Sequence, residues 1–405
     1  MGTHNHRQSS NGTGIYAHVV GWGMAVPEAV LTNKELEAIV ETTDEWIQER
    51  TGIRERHIAG ERDSTASLGL SAAQRALEVA DLLPDEIDLI VVATSTPENF
   101  FPSTASLIQG RLGASRAGAF DLSAACSGFV YAVNMAAQSI RSGQIETALV
   151  IGTETMSRVM DWRDRSTCIL FGDGAGAVVL KASEIEGGIL SAVLRSDGSG
   201  GDLLGIPTVG SQDMSHPAFS TNGHAMHKMF MNGGEVFKFA TRVIGESIQE
   251  ALDIAGLTLE NVSLIVPHQA NDRIIQAAAR ALKLDKNMFV SNVDRFGNTS
   301  AASIPIALCE AIEGGRVHDD DYLIFVGFGG GLTWAAMVVQ WGADKFEERG
   351  RRFGGQRRSA IYLFTRIRAR LRRWSRRLQE TLNRVPPNRG RVSRLQHRID
   401  RYNLD

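Results

Sequence analysis

The chain has 405 residues, of which 43% are apolar, so it can bury the core of two ordinary domains or of one large double-layered domain. This composition excludes an intrinsically disordered protein. Three widely spaced cysteines encode neither a disulfide framework nor a zinc site. Residues 1–14 are polar and lack the apolar stretch of a signal peptide. We therefore expect a cytoplasmic protein with a disordered start over residues 1–14.

The net charge of −3 hides a strong asymmetry along the chain. From Gly342 to the end there are 19 lysines and arginines against 6 acidic residues, a net charge of +13. The remainder carries 24 basic and 40 acidic residues, a net charge of −16. An acidic body with a basic tail indicates an interaction segment at the C-terminal end.

Two segments of the body share one layout, which predicts a duplicated fold. Residues 71–96 and 246–271 each read as an amphipathic helix, a link with a leucine and an acidic residue, and a β-branched strand that runs into a polar loop. Near-continuous apolar strands separated by helices are typical of sheets buried on both faces. We expect an α/β protein with two similar halves packed together.

Each half also holds a glycine-rich stretch that leads into an apolar strand, "FGDGAGAVVL" at 171–180 and "GFGGGLTWAAMVVQW" at 327–341. Neither is a phosphate-binding loop, because "GDGAG" lacks the Lys-Ser/Thr pair and precedes a strand where a phosphate cradle precedes a helix. Close backbone approach between the packed halves is the better interpretation of "GDGAG".

A lone cysteine, Cys126, follows the predicted strand "AGAFDL" at the point where helical spacing begins. The unpaired amides and the positive end of the helix dipole favour a thiolate there, and the same amides can bind an oxyanion. The alternative is a small buried hydrophobic residue, which is the usual fate of an intracellular cysteine. Cys168 and Cys309, among apolar neighbours, fit that alternative.

Two further stretches bring in partners for a reactive thiol. "VSLIVPHQANDRI" places His268 at the end of a buried strand, and "RFGNTSAASIPIAL" places Asn298 in a turn ahead of a helix. A cysteine, a histidine and an asparagine at the ends of duplicated strands suit nucleophilic thiol catalysis. Spacing alone leaves their convergence open, and it leaves a hydrolase open as well.

Eight motifs together resemble one family, the thiolase-fold condensing enzymes, and within it β-ketoacyl-acyl carrier protein synthase III. They lie in the family's order over residues 15–341: "TTDEWIQERTGIRERHIA", "FPSTASLIQ", "AACSGFVYA", "FGDGAGAVVL", "NGGEVFKFA", "VPHQANDRI", "GNTSAASIP" and "GFGGGLTWAA". The resemblance implies two duplicated βαβ halves in a five-layered α/β sandwich. It implies halves at 15–185, with the nucleophile, and 186–341, with the histidine and asparagine.

The resemblance also implies a reaction. Cys126 would take an acyl group, expected to be acetyl, from a coenzyme A thioester, and the carbanion from decarboxylated malonyl-acyl carrier protein would then attack it. A thiol serves both as nucleophile and as leaving group. His268 and Asn298 would donate hydrogen bonds to the developing enolate, and Gly330, or an adjacent glycine of "GFGGG", would add a backbone donor beside the Cys126 amide. Coenzyme A enters as a substrate, and neither a cofactor nor a metal is implied.

Binding roles follow from the same resemblance. Trp46 and Arg165 match the pair that sandwiches the adenine of coenzyme A, Arg50 lies one helical turn beyond Trp46, and Phe237 would line the pantetheine channel. Without the resemblance, each would read as an ordinary packing or surface residue.

Lys238 and Arg273 would form part of a basic rim that receives the acidic carrier protein, where local charge matters more than the total. Phe101 matches a position that reaches across a homodimer interface into the neighbour's acyl pocket. A bulky residue there resembles enzymes that prefer acetyl and other short primers.

The basic tail, 342–405, departs from the family, whose members typically end near Trp341. Residues 360–384 read as an amphipathic helix with apolar positions at steps of three and four and arginines on the other face. Packing on the acidic body or disorder, contact with an anionic membrane surface, and contact with an acidic partner all remain open. No motif indicates specific nucleic acid binding.

The leading hypothesis is the condensing enzyme that starts type II fatty acid synthesis. The alternatives are a relative with the same site in a specialised lipid or polyketide pathway, an acyl-thioester hydrolase, and a non-catalytic binding module. The intact "HQAN" and "GNTS" motifs weigh against the hydrolase, and the presence of Cys126, His268 and Asn298 weighs against the module.

Overall fold

The computed structural model describes residues 14–208 and 225–342. The predicted disordered start and the predicted helix of the basic tail lie outside the described residues. The strands of the described ranges are β1 (Tyr16–Ala25), β2 (Val30–Thr32), β3 (Glu55–His57), β4 (Leu89–Ala93), β5 (Gly118–Leu122), β6 (Thr147–Thr155), β7 (Asp173–Ser183), β8 (Gly188–Ser196), β9 (Leu204–Gly205), β10 (Phe230–Met231), β11 (Val262–Pro267), β12 (Tyr322–Gly329) and β13 (Thr333–Gln340).

The α-helices of the same ranges are α1 (Asn33–Leu36), α2 (Asp44–Thr51), α3 (Thr65–Ala80), α4 (Thr104–Leu112), α5 (Gly128–Arg141), α6 (Arg165–Cys168), α7 (Gly233–Ala255), α8 (Asp272–Leu282), α9 (Val293–Phe296) and α10 (Ser303–Glu313). The longest, α7, is amphipathic, starts at an Asn232 cap and ends at Gly256 in the left-handed conformation. Within the described part of the chain, no helix combines the length and the hydropathy needed to cross a membrane.

Two sheets carry the fold. The first has the order β1-β7-β6-β4-β5, and the second has the order β11-β12-β13-β8. In the first sheet β4 runs parallel to both neighbours, whereas β6, β7 and β1 alternate in direction. In the second sheet β11 and β12 are parallel, and β12, β13 and β8 are antiparallel.

The helices form layers on both sides of these sheets. Helices α3 and α4 cover the outer face of the first sheet, α5 and α10 lie between the two sheets, and α7 covers the outer face of the second sheet with α8 packed beside it. The central core joins apolar side chains of α5 and α10 with those of both sheets. The arrangement is a five-layered α/β sandwich, as the sequence predicts.

The strand orders confirm the duplication. Reading the second sheet as β8-β13-β12-β11 reproduces the order β1-β7-β6-β4 of the first. Both repeated segments fold as predicted, since α3 leads into β4 and α7 leads into β11. Along the chain, the last strand of the first sheet, β7, ends at Ser183, and the first strand of the second sheet, β8, begins at Gly188. The boundaries 15–185 and 186–341 themselves stay a prediction.

The glycines of "GDGAG" mark close contacts, as predicted. A Cβ on Gly176 would lie 2.6 Å from the Cβ of Pro305, and one on Gly172 would lie 2.3 Å from the backbone oxygen of Phe296. Glycine is needed wherever backbones approach so closely. These residues of the first half therefore pack directly against the second half.

Candidate active site

A cavity of about 1060 Å³ opens between the two halves of the body. Cys126, His268 and Asn298 all line it, together with apolar side chains such as Phe171 and Met229. The structure thus brings together the three side chains that spacing alone left apart. A large, mostly apolar cavity with a few convergent polar groups is the usual form of a small-molecule site.

Cys126 lies in the 3₁₀ turn Ala125–Ser127 that leads from β5 into α5. Its side chain is 7% exposed, and Sγ lies 3.5 Å from the Ser300 hydroxyl. Burial raises the pKa of the Cys126 thiol to about 12. Burial therefore opposes the thiolate that the helix start favours, and the expectation of a thiolate stays a prediction.

His268 follows β11, and its backbone N–H donates to the Val326 oxygen at 2.7 Å. Nδ1 lies 2.6 Å from the Ser303 hydroxyl, and the ring meets Phe328 edge to face with centroids 5.1 Å apart. Burial lowers the pKa of His268 to about 3, so the imidazole is neutral. When Ser303 donates to Nδ1, the neutral ring presents Nε2–H as a hydrogen-bond donor.

Asn298 is fixed by its own turn. Its backbone N–H donates to the Leu170 oxygen at 2.8 Å, and its Oδ1 accepts the Ser300 backbone N–H at 2.8 Å. Because the amide oxygen is occupied, Nδ2 is the group of Asn298 that remains for a ligand. Two neutral donors, on His268 and Asn298, therefore belong to the same cavity wall.

The end of β12 packs against Cys126. A Cβ on Gly329, the last residue of this strand, would lie 2.7 Å from the Cys126 backbone nitrogen, so the close approach requires a glycine. Gly330, the predicted second backbone donor, lines the cavity beside it. Its role in binding an oxyanion stays a prediction.

The predicted coenzyme A contacts lie toward the mouth of the cavity. Trp46, Arg50 and Phe237 line it, whereas Arg165 reaches it through Trp46, with its guanidinium carbon 4.8 Å from the indole centroid. Arg50 lies 5.7 Å from the same centroid. An adenine ring between Trp46 and Arg165 would require the arginine to move outward, because the two side chains already stack.

Besides Arg165, three predicted residues lie outside the cavity lining. Lys238 is exposed and pairs with Glu235 at 2.8 Å, and Arg273 stacks on Phe237 at 5.7 Å from the ring centroid. Phe101 is 86% exposed, whereas its neighbour Phe100 lines the cavity. Their predicted roles in carrier protein binding and across a dimer stay predictions.

Four functional candidates escaped the sequence analysis: Ser300, Ser303, Phe328 and Glu154. Three of them contact Cys126 or His268. Glu154 reaches the site through Ser300, whose hydroxyl donates to its Oε1 at 3.0 Å. Ser300 and Ser303 stand inside the quoted "GNTSAASIP" motif, but Glu154 ends a buried strand, and a lone acidic residue there carries no signal of its own.

A buried thiol, an imidazole and a carboxamide that line one cavity of a duplicated α/β sandwich are the groups of an enzyme that transfers acyl groups through a thiol. Comparison with known proteins narrows this class. Residues 120–198 match the family model of 3-oxoacyl-[acyl-carrier-protein] synthase III, and residues 252–341 match the model of its C-terminal part.

Individual relatives of this family are similar to the chain over most of its length. The β-ketoacyl-[acyl-carrier-protein] synthase III of Desulfitobacterium hafniense is 53% identical over 80% of this chain and 97% of its own length. The crystal structure of the 3-oxoacyl-[acyl-carrier-protein] synthase III from Aquifex aeolicus VF5 has a TM-score of 0.74 and 46% identity, covering 80% of this chain and all of that one.

A crystal structure of the priming β-ketosynthase from the R1128 polyketide pathway has a TM-score of 0.75 and 37% identity, covering 81% of this chain and 96% of that one. The chain belongs to the 3-oxoacyl-[acyl-carrier-protein] synthase III family. The predictions of a thiolase fold and of a condensing acyltransferase are thereby confirmed.

Proposed function

We propose that this protein condenses an acyl-coenzyme A primer, acetyl-coenzyme A in the first instance, with malonyl-acyl carrier protein. The products are 3-oxoacyl-acyl carrier protein, coenzyme A and carbon dioxide, and the reaction starts type II fatty acid synthesis. The observation that carries this proposal is the convergence of Cys126, His268 and Asn298 in one cavity.

In the first step, Sγ of Cys126 attacks the thioester carbon of the primer. The bond from that carbon to the coenzyme A sulfur breaks, and the thiol proton leaves with coenzyme A. The backbone N–H groups of Cys126 and Gly330 would stabilise the negative oxygen of the tetrahedral intermediate. The product is a thioester on Cys126, which stays reactive toward carbon nucleophiles.

In the second step, the malonyl thioester loses carbon dioxide and becomes an enolate. Nε2–H of His268 and the Nδ2 amide of Asn298 would donate to the thioester oxygen where the charge develops. Neutral donors suit this work, because in a buried site they need no proton transfer and no counter-ion. The enolate carbon then attacks the acyl group, the Cys126 sulfur leaves, and it takes up one proton.

The primer and the pathway define the alternative function. A specialised lipid or polyketide pathway would use the same three residues with another acyl group, and the likeness to a priming β-ketosynthase of polyketide synthesis keeps that alternative in view. The bulky Phe101 supports a short primer, provided that it reaches a partner subunit's pocket as the family resemblance implies.

A homodimer and the cytoplasm belong to the same proposal. Strand β5 lies at the edge of the first sheet, and Asp121 on it accepts the backbone N–H groups of Thr104 and Ala105 at the start of α4. Phe101, just ahead of α4, therefore stands near that sheet edge, and Phe120 on β5 is 41% exposed. Apolar side chains at an open sheet edge support a partner subunit there.

Acyl carrier protein is the second proposed partner, and it would dock near Lys238 and Arg273. Lys238 already pairs with Glu235, so an acidic helix of the partner would compete for an exposed ion pair of small net energy. The basic tail, 342–405, is a further candidate contact for an acidic partner or a membrane surface. No cofactor or metal enters this scheme, and that expectation stays a prediction.

The test is a product assay with acetyl-coenzyme A and malonyl-acyl carrier protein, read by mass spectrometry of the carrier protein. The wild type should form 3-oxobutyryl-acyl carrier protein, and Cys126→Ala should form none. Cys309→Ala is the matched control, because Cys309 is also buried but lies in the core. Release of free acetate without condensation would instead support a hydrolase and refute the proposal.

A further inference from the structure

Glu154 is a buried carboxyl group behind Ser300, and the mechanism above does not use it. It lies at the end of β6, is fully buried, and forms no ion pair with any residue of the described ranges. A buried carboxyl group without a cation is costly, and such groups persist mainly where they serve a function. Its surroundings therefore need an explanation.

The hydrogen bonds around Glu154 have a fixed direction. The Thr94 hydroxyl accepts the Thr96 backbone N–H at 3.1 Å and donates to Oε2 of Glu154 at 3.1 Å. The Thr96 hydroxyl accepts the Thr155 backbone N–H at 2.9 Å and donates to Oε2 at 2.6 Å. The Ser95 backbone N–H also donates to the carboxyl group, at 3.0 Å. Every neighbour presents a donor, so these hydrogen bonds favour the carboxylate form, whereas burial raises the pKa of Glu154.

Ser300 connects this carboxylate to the nucleophile. Its hydroxyl donates to Oε1 of Glu154 at 3.0 Å and lies 3.5 Å from Sγ of Cys126, which is placed to donate to it. Ser300 is 2% exposed and has φ of +49°, a left-handed conformation that is uncommon outside glycine. The three groups form one continuous chain of hydrogen bonds, and the thiol of Cys126 is the titratable group that faces Glu154 across it.

We infer that Ser300 and Glu154 form a proton relay that activates Cys126 for attack on the acyl-coenzyme A primer. This inference rests on the proposed function and adds the proton acceptor that the first step needs. As Sγ bonds to the thioester carbon, its proton passes to the Ser300 oxygen, and the original Ser300 proton passes to Oε1 of Glu154.

The relay returns the proton in the same step. When the bond from the thioester carbon to the coenzyme A sulfur breaks, that sulfur takes the proton back from Glu154 through Ser300 and leaves as a thiol. Glu154 is again a carboxylate, and no proton is gained or lost. After condensation, the released Cys126 thiolate is protonated along the same path by one proton from the solvent.

The described site offers no better acceptor for the Cys126 thiol proton. Burial raises the pKa of Cys126 to about 12, so the resting group is a thiol that needs a base. Burial also lowers the pKa of His268 to about 3, and its Nδ1 already contacts Ser303, so this imidazole is a weak base. Burial raises the pKa of Glu154, which makes this carboxylate a stronger base than an exposed one.

The experiment measures the rate of acetyl transfer from acetyl-coenzyme A to Cys126 by rapid quench and mass spectrometry, from about pH 6.5 to about pH 8.5. The main variant is Ser300→Gly, because glycine removes the hydroxyl and adopts the left-handed φ without strain. Ser300→Ala and Glu154→Gln accompany it. Ser247→Ala is the matched control, since Ser247 is a buried serine of α7 that donates to the Val243 backbone oxygen.

We expect the wild-type rate to rise with pH less steeply than the variant rates, because Glu154 accepts the proton wherever it is ionised. Ser300→Gly should acylate about 100-fold more slowly near neutral pH, the usual size of a general-base contribution, and its rate should rise about tenfold per pH unit as hydroxide replaces the relay. Ser300→Ala and Glu154→Gln should show the same profile, and Ser247→Ala should match the wild type.

Two results would overturn the relay. The first is a Ser300→Gly rate within about threefold of wild type at every pH, with the same profile. The second is a loss in Ser300→Ala that Ser300→Gly does not share, since it would trace to backbone strain. If the wild type itself formed no acyl-enzyme, the proposed function would fail, and this outcome is distinct from both.

Discussion

The two turns that lead into the central helices have the same backbone and different chemistry. The turn before α5, Ala125–Ser127, and the turn before α10, Ser300–Ala302, are both 3₁₀ turns in contact with each other. The first residue of each is left-handed, with φ of +45° at Ala125 and +49° at Ser300. Duplication thus placed two equivalent turns face to face across the middle of the molecule.

The difference between these turns divides the reaction into two parts. The turn of the first half carries Cys126, the proposed nucleophile, whereas the second half supplies Asn298 next to its turn and His268 directly after β11. Ser300, the counterpart of Ala125, hydrogen-bonds both to Cys126 and to Glu154 of the first half. In the proposed reaction, one half would therefore form the covalent bond and the other would stabilise charge.

The largest expected effect separates these two parts. His268→Ala and Asn298→Ala should each slow decarboxylation of malonyl-acyl carrier protein by about 100-fold to 1000-fold, because each removes one donor to the enolate. Acetyl transfer to Cys126 should change by less than about fivefold. The measurement is carbon dioxide release beside acyl-enzyme formation. Equal losses in both steps would mean that the halves do not divide the work.

The protonation state of Cys126, in the turn before α5, gives the second prediction. Because burial raises the pKa of Cys126 to about 12, the thiolate fraction below pH 9 should be under about one in a hundred. The thiolate fraction should rise about tenfold with each pH unit below the pKa. The ultraviolet absorbance of thiolate should therefore be the same in the wild type and Cys126→Ala from pH 7 to pH 9. A wild-type excess near pH 7 would show that the helix start outweighs burial.

The contact between the halves gives a stability prediction. A Cβ on Gly152 would lie 2.2 Å from the backbone oxygen of Ala301, so Gly152→Ala should lower the free energy of unfolding by about 3 kcal/mol. Gly110→Ala is the control, because Gly110 lies in α4 with open space around it and should stabilise by about 0.5–1 kcal/mol. Urea unfolding measures both. Equal changes in the free energy of unfolding for the two variants would show that the contact at Gly152 accommodates a methyl group.

The smallest expected effect concerns the proposed coenzyme A contacts at the mouth of the cavity. Trp46→Ala and Arg165→Ala should raise KM for acetyl-coenzyme A about tenfold with kcat nearly unchanged, the size of a lost cation–π stack of 1–2 kcal/mol. Arg163→Ala is the control, since Arg163 is an exposed arginine paired with Asp161. A tenfold rise in KM for Arg163→Ala as well would indicate a general effect of positive charge on coenzyme A binding.

Much of the fold could be predicted because its signals are local or repeated. The helical spacing after Cys126 predicts α5, and the repeated segments 71–96 and 246–271 predict the duplication. The glycines of "GDGAG" predict close packing because few other roles fit them. Each of these signals lies within about 25 residues of sequence.

The chemistry of the site could be predicted only in part, because it depends on contacts between distant residues. Glu154 and Ser300 are 146 positions apart, and nothing in either local stretch indicates the other. The burial that raises the pKa of Cys126 could not be predicted for the same reason. The helix start is visible in the sequence around Cys126, whereas its burial by the second half is not.

The most direct test of the account is intact mass spectrometry in two steps. The protein is first mixed with acetyl-coenzyme A, and malonyl-acyl carrier protein is then added. We predict one acetyl adduct that maps to Cys126 and disappears as 3-oxobutyryl-acyl carrier protein forms. An adduct on another residue, or none with acetyl or any longer or branched donor, would contradict the central claim that Cys126 carries the acyl group between the two halves.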